Sequence, residues 1–232
     1  MDQQTKTKIV QFIRGWVVSL AAAVLLATSF KSVIVDWNVV PSGSMRPTIL
    51  EGDRIFVNKL AYDLKVPYTT RHLASWAEPG RGDIVVFYSP LDGTRLVKRV
   101  MGLPGDHIFM RRNRLFVNNQ PAVYDPLDER FLQDIPSGER EGTLFFSETL
   151  EGRSHPVVFM PSRPSRNSFG EIRVPDGHYF MLGDNRDGSA DSRYFGFVPR
   201  RLIVGRSKAV VLSLNYDRRY LPRWDRTFKA LP

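Results

Sequence analysis

Hydrophobic positions divide the chain into two unlike parts. Residues 15–30 read GWVVSLAAAVLLATSF without a charge. Continued past Lys31 to Val35, the run has about 21 positions and spans roughly 31 Å as a helix, close to the hydrocarbon thickness of a bilayer. After Trp37 the apolar runs become short and are separated by Gly, Pro, Asn and Asp, which is the texture of an all-β body. The runs at residues 54–59, 83–88, 95–101, 107–110, 114–117, 178–182 and 203–214 predict strands. The polar pair Arg112 and Asn113, with apolar residues on both sides, predicts a hairpin turn. Between residues 118 and 170 the pattern lapses. PSRPSRNS at 161–168 offers little apolar surface to bury, and the stretch reads as an irregular insertion.

Charge placement orients the first part. Lys6, Lys8 and Arg14 precede the apolar run, so the positive-inside rule keeps the N-terminus cytoplasmic and carries the rest across the membrane. The expected organisation is a cytoplasmic N-terminus and a single transmembrane anchor over residues 1–36, then an extracytoplasmic body over 37–232. Lys31 fits a span end, where its ammonium snorkels to the interface. A cleaved secretory signal and a buried core helix are the alternatives. At the other end, arginines of 217–229 lie among Tyr216, Tyr220, Trp224 and Phe228, which suits either a membrane interface or a packed terminal segment.

Composition removes several chemistries. Cysteine is absent, which excludes a cysteine nucleophile, a thiolate zinc site and disulfides. The net charge of +9 is spread along the chain without a tract of consecutive Lys or Arg, so no nucleic-acid arm is expected. His72, His107, His155 and His178 are scattered, and neither a Gly-x-Ser-x-Gly elbow nor a His-Glu-x-x-His helix occurs.

Three stretches carry candidate chemistry. Around Ser44 the chain reads PSGSMRPT, a stiff loop in which Pro47 biases Arg46 to extended geometry and Gly43 permits close approach. It reads equally as an ordinary turn. A serine hydroxyl needs a base, and a lysine serves once burial lowers its pKa. Lys98 lies in the strand LVKRVM, where alternation sets Leu96, Lys98 and Val100 on one face and Arg99 on the other. The plainer alternatives for it are an edge-strand gatekeeper or a buried ion pair. Residues 183–193, GDNRDGSADSR, resemble a calcium loop superficially. Arg186 and Gly188 fall where an EF-hand needs oxygen ligands, so no metal is assigned, and a turn locked by Asp and Arg pairs is expected.

In chain order, PSGSMRPTI at 41–49, GDIVVFYSP at 82–90, VKRVMGLPGD at 97–106 and GDNRDGSADSRYFG at 183–196 resemble the conserved boxes of bacterial type I signal peptidases. That resemblance implies a mainly β fold: an all-β catalytic core with a variable β insertion at about 118–170, preceded by one N-terminal transmembrane helix. It implies Ser44 as nucleophile and Lys98 as general base, acting through an acyl-enzyme. It further implies an oxyanion hole from the Ser42 hydroxyl and the Ser44 N–H, Ser189 orienting Lys98, and a structural ion pair between Asp191 and Arg193. Cleavage after Ala-x-Ala is the implied specificity, without a cofactor. The expected partners are preprotein signal peptides, the lipid bilayer and the secretion translocon, at the cytoplasmic membrane with the catalytic domain on the periplasmic side. Departures are the single span, the absence of cysteine, Gly188 and Ile49. The competing readings are a dedicated peptidase of the same dyad, such as a pilin-maturation enzyme or a self-cleaving repressor, and a tethered binding module.

Overall fold

The computed structural model describes residues 12, 14–25, 28, 34–66, 69, 71–128, 131–132, 135, 140–216 and 219–232. Among the described residues seventeen strands run in chain order. They begin with β1 (Val35–Val39), β2 (Asp53–Asn58), β3 (Asp63–Lys65), β4 (His72–Ser75), β5 (Ile84–Tyr88) and β6 (Arg95–Gly102). There follow β7 (His107–Arg111), β8 (Arg114–Val117), β9 (Gln120–Pro121), β10 (Val123–Pro126), β11 (Leu144–Leu150) and β12 (Arg153–Phe159). The last are β13 (Phe169–Arg173), β14 (His178–Leu182), β15 (Val198–Pro199), β16 (Ile203–Asn215) and β17 (Leu221–Pro222).

All seven expected strands are present, each within a residue or two of the bounds read from the pattern. The main sheet has the order β1-β2-β16-β5-β6-β14-β15, with β17 against β16. Alternation is clear in β2, where Ile55 and Val57 are buried and Arg54 is exposed. Near the middle the alternation disappears: Ile84, Val85, Val86 and Phe87 of β5 are all buried, because both faces of the sheet are covered. The expected hairpin joins β7 and β8, with Arg112 and Asn113 at φ 48° and 64°, as a tight two-residue turn requires.

Residues 118–170 correct the irregular reading. Strands β10, β11 and β12 form a three-stranded sheet, and β13 pairs with β7 in a second small sheet, β13-β7-β8-β9. Strands β11 and β12 pair in unbroken register from Leu144 with Phe159 to Leu150 with Arg153. Three consecutive polar residues, Ser147, Glu148 and Thr149, thin the apolar signal of a real strand. The polar stretch 160–168 after Phe159 carries no strand. Strands thus lie in the region where the resemblance implies a β insertion.

Residues 14–25 are helical, with Trp16, Val17, Val18, Leu20, Val24 and Leu25 exposed. Among the described residues no helix is long and apolar enough to cross a membrane. Much of the expected anchor, including residues 26–27 and 29–33, lies outside the described residues.

Beneath the Ser44 loop, Val40, Met45, Ile49, Ile55, Val57, Ile84 and Val86 form one apolar cluster. Met45 and Ile49 are fully buried, and side chains of this size stabilise by roughly 1.5–3 kcal/mol each when buried. The loop is therefore fastened by residues on both sides of the nucleophile candidate.

Candidate active site

Ser44 lies in a single 3-10 turn, Gly43–Met45, between extended residues Ser42 and Arg46. The Arg46 conformation, φ −61° and ψ 143°, follows from Pro47 behind it. Lys98 approaches from β6, and its Nζ lies 2.7 Å from Ser44 Oγ and 3.0 Å from the Val97 carbonyl oxygen. The lysine is 3% exposed. Burial pushes its pKa down to about 8; Asp191 and Asp184 oppose that shift and the Arg193 cation adds to it. At pH 7 about a tenth of such an amine is neutral, against about one in a few thousand at the ordinary lysine value.

A cleft of about 170 Å³ opens beside the pair, bounded by residues 38–42 on one side and 95–98 on the other. Among the described residues strand β1 pairs only with β2, and the pairing of β14 with β6 covers just Arg99 to Gly102. Two unpaired strand edges thus face the cleft. Ser42 Oγ is 3.5 Å from Ser44 Oγ, longer than a normal hydroxyl hydrogen bond, so its proton is free to turn towards another acceptor.

The loop after β14 supports this pair from behind. The Asn185 N–H donates to the Ser44 carbonyl and its Nδ2 to the Gly43 carbonyl, both at 3.1 Å. Asp184 takes two hydrogen bonds of 2.8 Å from Arg99 and one from the Thr48 hydroxyl. Burial alone would raise the Asp184 pKa, but the Arg99 guanidinium beside it overrides that and holds the carboxyl below its usual range. Asp191 and Arg193 form the expected ion pair, with Arg193 Nε 2.8 Å from Oδ1 and Nη2 2.8 Å from Oδ2. Asp191 also accepts from the backbone N–H of Arg193 and caps the helical turn Ser192–Phe195.

Ser189 departs from expectation. Its Oγ is buried without a hydrogen-bond partner, so the anticipated bond to Lys98 is not made. The hydroxyl instead crowds Gly183, while the Lys98 ammonium spends its contacts on Ser44 and Val97. Arg99, which alternation sets on the face opposite Lys98, is 1% exposed, because that face of β6 is covered as well. Residue reading missed Thr48, Arg99, Asp184 and Asn185 as supports, and Glu148 with Arg186. The available signal was the charge density of 183–193, which demanded partners elsewhere in the chain. No cluster of three or more His, Asp or Glu suited to a metal occurs among the described residues.

Comparison with known proteins places the chain among peptidases. Residues 13–212 match the family model described as signal peptidase, peptidase S26. The signal peptidase I of Pseudomonas fluorescens is 37% identical over 195 residues, covering 79% of this chain and 66% of its own length. That of Buchnera aphidicola subsp. Acyrthosiphon pisum is 33% identical, covering 81% and 71%. A solved signal peptidase I from Enterococcus faecalis is 32% identical, with a TM-score of 0.36 over 57% of this chain and 98% of that one. The chain belongs to the signal peptidase family, peptidase S26. It spans about two thirds of the length of the Pseudomonas relative.

Proposed function

We propose that the protein is a membrane-bound serine endopeptidase that removes N-terminal signal peptides from exported preproteins, cutting after an Ala-x-Ala sequence. The observation that carries this reading is the 2.7 Å approach of a buried Lys98 amine to the Ser44 hydroxyl. In its neutral form the amine accepts the Ser44 proton as Oγ attacks the scissile carbonyl. The ammonium then returns the proton to the leaving amine nitrogen, giving the acyl-enzyme. Water attacks the ester with the same lysine as base, and Ser44 is released. Negative charge on the carbonyl oxygen is met by the Ser42 hydroxyl and the Ser44 N–H. An extended signal peptide fits between the free edges of β1 and β6, and the small cleft volume favours small side chains.

Membrane attachment is part of the proposal. A helix apolar on all sides and exposed at Trp16, Val17, Leu20 and Val24 has no covering surface among the described residues, and lipid is its natural solvent. With Lys6, Lys8 and Arg14 ahead of it, the body lies on the extracytoplasmic side of the cytoplasmic membrane, near the secretion translocon. The test is mass spectrometry of a preprotein ending in Ala-x-Ala after incubation with detergent-solubilised protein. A single cut after the last Ala, absent with Ser44→Ala, is expected; an intact preprotein overturns the reading in favour of a dedicated peptidase or a binding module.

A further inference from the structure

Glu148 on β11 and Arg186 in the loop after β14 are both fully buried and face each other in a two-point ion pair. Arg186 Nη1 donates to Oε2 at 2.7 Å and Nη2 to Oε1 at 2.6 Å. The Tyr124 hydroxyl donates to Oε2 at 2.6 Å, and His155 Nε2 lies 3.3 Å from Oε1. None of these four side chains hydrogen-bonds Ser44 or Lys98. The backbone around Arg186, however, is shared between the insertion and the nucleophile loop. Its own N–H donates to the Val158 carbonyl at 3.0 Å, and the Asp184 carbonyl accepts from the Val158 N–H at 2.9 Å. The intervening Asn185 N–H holds the Ser44 carbonyl. A shift of Arg186 therefore displaces the peptide that carries the nucleophile.

Stability does not explain the pair. Desolvation of two ions offsets their attraction, and well-packed apolar residues of similar volume stabilise a core at least as well. What a bidentate guanidinium and carboxylate supply is a fixed geometry. We propose that Glu148 is a positioning residue for the reaction at Ser44, acting through Arg186, so that the β insertion sets the register of the catalytic loop. The proposal rests on the peptidase reading above.

The experiment compares wild type, Glu148→Gln, Arg186→Met and the double variant by preprotein cleavage, thermal unfolding and hydrogen exchange at the Asn185 N–H. Each single variant leaves one buried charge unpaired and lowers both Tm and kcat. The double variant removes both charges: Tm recovers, kcat stays at least tenfold low with KM within twofold, and Asn185 loses protection. Recovery of kcat together with Tm and protection overturns the proposal, since the pair would then be structural alone. Should the double variant fail to fold, Glu148→Asp, which keeps the charge and shortens the side chain, decides: lowered kcat at unchanged KM supports positioning, and wild-type kcat refutes it. The exchange readout does not depend on substrate, so wild-type protein that protects Asn185 but cuts nothing removes the peptidase reading and not the coupling.

Discussion

Gly183 and Ser44 pack with no room for a methyl group between them: a Cβ at Gly183 would collide with the Ser44 carbonyl oxygen and with the Ser189 hydroxyl. The constraint is space, and it lies in backbone that cannot swing aside. Gly183→Ala is expected to cost about 1–3 kcal/mol in stability, the range for overpacking. Because the displaced atom belongs to the nucleophile residue, kcat should fall further than Tm alone would suggest. Denaturant unfolding and steady-state cleavage of the same preparation check this; an unaltered kcat would contradict it.

The buried amine costs stability at neutral pH. Lys98 titrates near 8 in the folded chain and near 10.5 once unfolded, so between those values the unfolded state binds more protons and stability rises with pH. Below about pH 8 the penalty is fully present, about 3 kcal/mol at pH 7, and it fades as pH rises through 10.5. Lys98→Met removes the penalty and the base together. It should abolish cleavage while raising stability at pH 7 by about 1–3 kcal/mol, with the gain vanishing near pH 10. Loss of stability at pH 7 would show that the amine is held by compensating bonds instead.

Deletion of residues 1–33 should release the protein from lipid vesicles while leaving the β body folded, because the sheets and apolar clusters described are built from residues after 33. Vesicle co-sedimentation and circular dichroism of the shortened chain check the two halves. Retention on vesicles at wild-type level would move the membrane contact to the body, where Tyr216, Tyr220, Trp224 and Phe228 are exposed.

The sequence carried the site more fully than the scaffold around it. Lys98 was legible because a lysine inside an apolar strand is costly, and a cost of that kind needs a reason, whereas Ser44 read equally as an ordinary turn and was singled out by resemblance. Strands with clean alternation or continuous apolar runs, such as β2, β5 and β16, stood out for the same physical cause. Strand β11 was lost because Glu148 interrupts its buried face between Phe146 and Leu150, and the Arg186 that pairs with it is remote in sequence. The burial of Arg99 was not legible, because alternation assigns faces, whereas burial depends on what covers each face. Ser189 was assigned by resemblance alone, and side-chain rotation, which no pattern encodes, decides its contact.

If a neutral Lys98 takes the proton from Ser44, the pH dependence of kcat/KM for preprotein cleavage follows the titration of that amine. The account predicts a rate that rises tenfold per pH unit below about 8 and levels above it, as the amine titrates, with Lys98→Arg inactive throughout. A flat profile from pH 6 to 10, or cleavage by Lys98→Arg at wild-type rate, would contradict it.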